Sequence, residues 1–251
     1  MAHSHRPAAW ITGLALALPL LAAPPARACD VALVLAVDVS GSVDAYEYQL
    51  QLQGIANALR DPDVREALVL GRAALALVQW SGAGEQSVSV PFTRLAEPAD
   101  VGALAARIGT LPRAHAGGNT AVGEAIATAA ALFREARDCA RWVIDVSGDG
   151  DENEGFSLAA ERRAAYARGI AINGLAIEGA ATGQSITNFY RRQVVTPGGF
   201  VITAQQHGDF ARAMRDKLLR ELIPPMAALP DPGDATLHRV ALPGFLHLHP
   251  R

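Results

Sequence analysis

Four short apolar runs are spaced along this chain, with helix-length segments after most of them, and this alternation limits the possible folds. The runs are rich in Val, Ile, Leu and Ala and occupy residues 31–37, 73–80, 141–146 and 170–177. A continuous apolar run of this length is typical of a strand that is covered on both faces. Strands of this kind alternating with helices predict an open, mostly parallel α/β sheet with helices on both faces.

One segment departs from this alternation. Residues 86–92 alternate polar and apolar side chains and follow the run 73–80 after a short connection. This pattern predicts a half-exposed edge strand that pairs antiparallel with its neighbour. Asp44 and Glu47 have the spacing of a capping box at a helix start, and Asp61-Pro62 is predicted to end that helix. Further helices are predicted over 99–108, 120–137, 156–168, 185–193 and 209–222.

Residues 1–28 have the organisation of a secretory signal peptide. A polar, basic start leads into an apolar core over 8–23, which ends at Ala26-Arg27-Ala28. The core is short for a membrane span, and an Ala-x-Ala end is typical of a cleavage site. Cleavage would start a secreted or periplasmic protein at Cys29. Lipid attachment at Cys29 is the alternative, although Arg27 stands where a lipoprotein has a small residue.

The remaining chain divides into one domain and a tail. Residues 29–223 have the size of a single α/β domain, and residues 224–251 form a proline-rich C-terminal segment without a helical period. Without the two arginines of the signal peptide, 20 basic and 25 acidic residues leave a net charge of −5. A mildly acidic chain with no basic stripe is not expected to bind nucleic acid or an anionic membrane.

The two cysteines occupy matching positions relative to two aspartates. Cys29 lies nine residues before Asp38, and Cys139 lies ten residues before Asp149. If both aspartates lie at the ends of neighbouring parallel strands, both cysteines lie at the starts of those strands. In an oxidising compartment this predicts a Cys29–Cys139 disulfide, with two free thiols as the alternative.

Oxygen-bearing side chains follow two of the predicted strands. Asp38, Ser40 and Ser42 come at alternate positions after the first strand, and Asp149 follows the strand 141–146. Thr120 closes the turn Gly117-Gly118-Asn119-Thr120 at a predicted helix start. Carboxylate and hydroxyl oxygens are the ligands that Mg²⁺, Mn²⁺ and Ca²⁺ prefer. Each residue alone could cap a helix or shape a turn, but together they indicate a metal site at one edge of the sheet.

This arrangement resembles the von Willebrand factor type A (vWA) domain and its metal-ion-dependent adhesion site (MIDAS). The resemblance rests on the Asp-x-Ser-x-Ser loop, the Thr of a Gly-rich loop and an Asp-Gly after a later strand. It implies a Rossmann-like, three-layer α/β/α fold and the ligand set Asp38, Ser40, Ser42, Thr120 and Asp149. The stretches 145–150 and 172–177 are similar to a bacterial group of secreted vWA-like proteins of unknown function. Gly148 departs from the vWA pattern, which has Thr at that position.

The resemblance implies a protein-binding module rather than an enzyme. Two carboxylates offset the charge of Mg²⁺ (or Mn²⁺ or Ca²⁺) and three hydroxyls add none, so the ion can accept an acidic side chain of a partner protein. The alternatives are a metal-dependent hydrolase that uses the same loops and a structural domain with a vestigial site. A hydrolase would need a general base, for which Asp145, Glu85 and His115 are the candidates.

Sequence motifs of several enzyme classes are missing. A haloacid-dehalogenase-type phosphatase needs a second Asp where Ser40 stands, and a serine hydrolase needs a Gly-x-Ser-x-Gly elbow that does not occur. Gly41 is not part of a dinucleotide-binding Gly-x-Gly-x-x-Gly.

Asp145 interrupts an apolar run, where an unpaired carboxylate would be unfavourable. We therefore expect Asp145 to have a structural partner, such as an arginine or a backbone donor.

Overall fold

A six-stranded sheet forms the middle layer of the fold. The computed structural model describes residues 29–179 and 185–223, and the predicted signal peptide and proline-rich tail lie outside them. The strands are β1 Cys29–Asp38, β2 Ala74–Trp80, β3 Gln86–Arg94, β4 Cys139–Gly148, β5 Ile170–Ile177 and β6 Val201–Ala204. Their order is β3-β2-β1-β4-β5-β6, and only β2 and β3 pair antiparallel. The predicted mostly parallel sheet with one antiparallel edge strand is confirmed.

Helices cover both faces of this sheet and complete the three layers. They are α1 Ala45–Arg60, α2 Pro62–Leu70, α3 Pro98–Ile108, α4 Val122–Leu132, α5 Leu158–Ala167, α6 Ile186–Phe189 and α7 Phe210–Leu222. None of the helices in the described ranges is long and apolar enough to cross a membrane.

Central strand β1 contributes to two separate hydrophobic clusters. Leu33 and Leu35 pack with α1, α2, α3 and α7, whereas Val34 and its alanine neighbours pack with α4, α5 and α6. Successive side chains of a strand point to opposite faces, so a continuous apolar run is what a doubly covered strand requires. Burial of each large apolar side chain contributes roughly 1.5–3 kcal/mol, which favours β1 as the centre of the sheet.

Both ends of the first helix agree with their prediction. Asp44 and Glu47 form the capping box at the start of α1, and Asp61 follows its last residue, Arg60. Asp61 also caps a second helix, α2, and Pro62 occupies the first turn of that helix. Proline is accepted there because the first backbone N–H groups of a helix have no intrahelical acceptor. The dipeptide therefore separates two helices, and α2 was missed by the sequence analysis.

A disulfide joins β1 to β4 at the edge of the sheet opposite the predicted metal site. Cys29 pairs with Cys139 in the strand register, and their Cα atoms lie 4.4 Å apart. The predicted disulfide is confirmed, and it closes a loop with a sequence separation of 110 residues. The two central strands are thus covalently linked at their starts, below the loops that follow their ends.

Candidate metal centre

Three loops meet at the carboxyl edge of the sheet. Val37 of β1 pairs with Ser147 of β4, so loop 1 (38–44) and loop 3 (148–155) begin side by side. Loop 2 (115–121), between α3 and α4, is bonded to loop 1, since the Gly41 N–H donates to the Gly118 carbonyl at 3.0 Å. This is the edge at which open α/β sheets bind their ligands.

Loop 1 turns tightly after β1. Asp38 is fully buried, and its Oδ1 accepts a hydrogen bond from the Ser40 N–H at 2.8 Å. The turn places Ser40 Oγ 3.2 Å from Ser42 Oγ. The carboxylate and the two hydroxyls of the Asp-x-Ser-x-Ser motif therefore form one group of oxygen atoms.

Loop 3 adds a second carboxylate to this group. The Ser42 hydroxyl donates to Asp149 Oδ1 at 2.6 Å, which joins residues 107 positions apart in the chain. Asp149 follows the last residue of β4 directly, so the strand pairing of β1 with β4 decides its position. Four of the five predicted ligands, Asp38, Ser40, Ser42 and Asp149, thus lie in one hydrogen-bonded group.

Thr120 lies beside them, on loop 2. Gly117 and Gly118 have φ angles of +99° and +87°, which glycine adopts without strain and which let the loop approach loop 1 closely. The Thr120 N–H donates to the side chain of Asn153 at 2.8 Å. Thr120 Oγ1 would lie 3.4 Å from a Cβ atom at Gly150. The hydroxyl thus borders loop 3 at Gly150, the residue that follows Asp149.

Burial and charge make Asp38 receptive to a cation. Burial, together with the negative charge of Asp149, raises the pKa of Asp38 to about 7, although hydrogen bonds from Ser40 oppose this rise. Asp38 Oδ2 is buried and has no hydrogen-bond partner among the described residues. Buried polar atoms are rarely left without a partner, so this oxygen fits a site for a divalent ion.

The donor set is poor in charged groups. The described residues contain no cluster of three or more His, Cys, Asp and Glu side chains that could hold a metal ion. A cation at this edge would therefore depend on the hydroxyls of Ser40, Ser42 and Thr120 besides two carboxylates. Such neutral oxygens suit hard ions and leave the ion with residual attraction for a further anion.

Comparison with known protein families identifies the chain. A family model described as protein of unknown function, DUF1194, matches residues 28–226. The chain belongs to the DUF1194 family. A search of the curated proteins found no match.

Solved structures show that this DUF1194 member has the vWA fold. A vWA domain from Catenulispora acidiphila aligns with a TM-score of 0.57 and 18% identity, over 77% of this chain and 43% of that one. Proximal thread matrix protein 1 of the mussel byssus, with a zinc-occupied MIDAS motif, aligns with a TM-score of 0.56 and 19% identity, over 78% of this chain and 46% of that one. The pilus adhesin SpaC of Lactobacillus rhamnosus GG aligns with a TM-score of 0.58 and 14% identity, over 77% of this chain and 30% of that one. The chain thus spans less than half the length of each of these proteins.

A tyrosine explains why the DUF1194 chain has Gly148 where the vWA pattern has Thr. A Cβ atom at Gly148 would lie 2.7 Å from both Tyr190 Oη and Asp38 Oδ2, and one at Gly174 would lie 2.6 Å from the Tyr190 ring. The two glycines on β4 and β5 thus open a slot for this ring. Burial, with the nearby charge of Asp38, raises the pKa of Tyr190 well above its ordinary value. Tyr190 therefore brings a neutral hydroxyl to the inner side of Asp38.

Asp145 belongs to a buried ionic cluster below the site. Lys217 of α7 lies between two carboxylates, with Nζ 2.5 Å from Asp145 Oδ1 and 2.5 Å from Glu221 Oε1. Asn173 of β5 donates to the same Glu221 oxygen at 2.9 Å. The expected structural partner of Asp145 exists, but it is the only lysine of the sequence rather than an arginine or a backbone donor.

Two further polar residues hold the loops and were missed by the sequence analysis. Arg113 Nη2 donates hydrogen bonds to three carbonyls of loop 1 at 2.7–2.8 Å. Asn153 Oδ1 accepts a hydrogen bond from the Thr120 N–H. Arginine and asparagine are common at surfaces, so sequence gives no signal for these roles. The contacts arise only when loops distant in sequence meet at one sheet edge.

His207 also reaches this edge from the start of α7. Its Nδ1 lies 3.0 Å from Glu47 Oε1, and its Nε2 lies 3.9 Å from Asp149 Oδ2. The three side chains belong to α1, to the 3₁₀ turn before α7 and to loop 3. By contrast, His115 of loop 2 bonds to Ser87 on β3 at 3.0 Å.

Proposed function

We propose that this protein is a metal-ion-dependent protein-binding module that acts outside the cytoplasm. The divalent cation would be held by Asp38, Ser40, Ser42, Thr120 and Asp149. The observation that carries this proposal is the hydrogen-bonded group that Asp38, Ser40, Ser42 and Asp149 form from two loops, together with a buried Asp38 oxygen that has no hydrogen-bond partner among the described residues.

Charge supports a binding role for the ion. Asp38 and Asp149 offset the two positive charges of the cation, while the hydroxyls leave it electrophilic. An acidic side chain of a partner protein is then the natural last ligand, because a carboxylate is a hard anionic oxygen donor. The vWA fold shared with a pilus adhesin and with a byssal matrix protein agrees with such a role.

The side chains near the site favour binding over hydrolysis. Of the three candidate bases, Asp145 is paired with Lys217, Glu85 accepts the Gly82 N–H at 3.1 Å, and His115 bonds to Ser87. Each of them thus has a structural contact, which supports a binding role for the site. Metal-dependent turnover of simple phosphate or carboxylate esters that Asp38→Ala abolishes would contradict a purely binding function.

An extracytoplasmic location agrees with the chemistry of the domain. The disulfide between β1 and β4 is of a kind that persists in oxidising compartments. The predicted signal peptide over 1–28 points the same way.

Thermal unfolding with and without Mg²⁺, Mn²⁺ or Ca²⁺ tests the metal site. At a hundred times its Kd an ion stabilises the native state by about 2.7 kcal/mol, which raises the Tm of a domain of this size by roughly 5–10 °C. Asp38→Ala should abolish the rise. Asp30→Ala, at the opposite end of β1, should keep it, because Asp30 is exposed and far along the strand. An equal rise in both variants would refute the assignment.

Capture from envelope extract then tests the binding role. Beads carrying the wild-type protein should retain a partner in Mg²⁺ or Mn²⁺ and release it with a chelator, and beads carrying Asp38→Ala should not retain it. If the partner is retained equally with and without the chelator, and equally by wild type and Asp38→Ala, its binding does not use the cation.

A further inference from the structure

An apolar groove lies at the amino edge of the sheet, at the end opposite the three loops. Its volume is about 500 Å³, and residues of β1, β4, α2 and α7 line it. The large apolar side chains of this lining are Val31, Leu70, Leu219, Leu222 and Ile223. The metal-dependent function proposed above makes no use of this groove.

Two of these side chains are strongly exposed. Leu70 is 76% exposed and Ile223 is 55% exposed. Only six large hydrophobic side chains of the described residues are exposed, and two of the six thus border the same groove. Single exposed apolar side chains are common at protein surfaces, whereas neighbouring ones in a concave site mark a binding surface. We therefore expect an apolar segment to cover the groove.

The chain itself supplies such a segment after α7. Leu222 is the last residue of that helix, so the chain leaves the domain at the groove. Residues 224–251 follow and lie outside the described residues. They contain the run 240–248, in which six of nine residues are Val, Ala, Leu or Phe and none is acidic. This run has the composition needed to cover Leu70 and Ile223.

Charge separates the two halves of this tail as occupants. The charged residues that line the groove are three acids and one arginine, namely Asp30, Asp63, Glu66 and Arg141. Residues 224–234 contain two aspartates and no basic side chain, whereas 235–251 contain two arginines, three histidines and no acid. Attraction between opposite charges therefore favours the second half, which includes the run 240–248.

The length of the tail permits the contact within one molecule. Sixteen residues, 224–239, connect Ile223 to the run, and they can span up to roughly 50 Å. The sequence Asp231-Pro232-Gly233 at their middle is typical of a turn, which allows the chain to reverse and return. A short tether gives an effective concentration of the order of millimolar, far above that of a second molecule at micromolar concentration.

We propose that residues 240–248 of the same chain occupy this groove and cover Leu70 and Ile223. The proposal is independent of the metal-dependent function, because the groove and the three loops lie at opposite edges of the sheet. Docking would attach the C-terminal tail to the ends of α2 and α7 and leave the loops accessible to a partner.

Photocrosslinking in the full chain tests the proposal. Phe245 is replaced by p-benzoylphenylalanine, which keeps the aromatic ring and adds a photoreactive benzoyl group. Trypsin cleaves after arginine, so the label lies in peptide 240–251 and Leu70 lies in peptide 66–72. Irradiation should join these two peptides within chains of monomer mass. The same label at Leu229 examines the nearer half of the tail.

A matched pair of substitutions shows whether the crosslink depends on the groove. Ile223→Ser should lower its yield roughly tenfold, because burial of a large aliphatic side chain contributes roughly 1.5–3 kcal/mol. This change leaves peptide 66–72 unaltered as the acceptor. Tyr166→Ser is the control, since Tyr166 is 54% exposed on α5, away from the groove, and its yield should equal that of wild type.

Three results would overturn the proposal. Crosslinks between isotopically heavy and light chains would assign the groove to the tail of a second copy. Labelling of peptide 66–72 from position 229 but not from position 245 would assign it to the nearer half of the tail. A label at 245 that never joins peptide 66–72, or joins it equally well in Ile223→Ser, would show that the run 240–248 does not bind there.

Discussion

Replacement of Lys217 by methionine should strongly destabilise the domain. Methionine keeps most of the apolar stem, so the change removes the charge that lies between Asp145 and Glu221, and with it a cation–π contact 5.1 Å from the centre of the Phe200 ring. All three side chains are at most 1% exposed, so water cannot take over the role of the ammonium group. Removal of one partner of a buried ion pair costs about 3–5 kcal/mol. For a domain of this size, a loss of about 4 kcal/mol lowers the Tm by about 12 °C.

The loss should also depend on pH. Burial, with the neighbouring charge of Glu221, raises the pKa of Asp145 to about 7 even though Lys217 opposes the rise. Without Lys217 the two carboxyl groups must take up protons to remain buried. Protons are available at pH 5 and scarce at pH 8. The loss of unfolding free energy in Lys217→Met relative to wild type should therefore be smaller at pH 5.

Thermal and urea unfolding at both pH values measure this effect. Arg220→Met, three residues along α7, is the matched control, because Arg220 is exposed and stacks on Phe200 at 4.0 Å without a buried ionic partner. The triple variant Lys217→Met, Asp145→Asn, Glu221→Gln should recover most of the lost stability, since no charge remains buried. A Lys217→Met protein that melts within 2 °C of wild type at pH 8 (roughly 1 kcal/mol or less) would refute the reasoning.

Three further predictions concern the disulfide and the site. Substitution of Cys29 and Cys139 by serine should lower the free energy of unfolding by about 5 kcal/mol for a loop of 110 residues; equal urea midpoints in wild type and variant would contradict this. The Asp38 pKa rises on folding from 3.8 to about 7, so the metal-free protein should lose stability as pH increases across that interval, and Asp38→Asn should remove the loss. A pH profile of Tm that is identical in both proteins would count against a buried Asp38. Gly148→Ala should cost about 1–3 kcal/mol through overlap with Asp38 and Tyr190, and Tyr190→Phe in the same chain should recover part of it; strict additivity of the two changes would exclude a shared slot.

Local sequence patterns predicted the frame of the site well. The apolar run of β1 indicated a doubly covered strand, and the spacing of each cysteine from its aspartate anticipated the pairing of β1 with β4. The spacing differs by one residue because Asp38 ends β1, whereas Asp149 lies one position beyond the end of β4. Strand position and register depend on patterns a few residues long, which the sequence displays directly.

Contacts between distant elements could not be read in the same way. His207 reaches Asp149 only because β6 and the turn before α7 lie at the same sheet edge as loop 3. Tyr190 enters its slot only because Gly148 and Gly174 lie on neighbouring strands. In the sequence Gly174 is only one residue of the predicted strand 170–177, and Gly148 is only a departure from the vWA pattern. The role of these two glycines follows from tertiary contacts with Tyr190, which local sequence periodicity does not encode.

The burial of Lys217 has a practical consequence for any search for the partner. It is the only ε-amine in the sequence, and with 0% of its side chain exposed it is closed to amine-reactive reagents. Crosslinkers built on activated esters will therefore find no lysine on this surface, and an empty result with them would say nothing about binding. Photoreactive or carboxylate-directed reagents are the appropriate choice. The same feature is useful for sensors, because amine coupling is directed to the terminal amine, which after the predicted cleavage belongs to Cys29 at the end of β1 opposite the three loops.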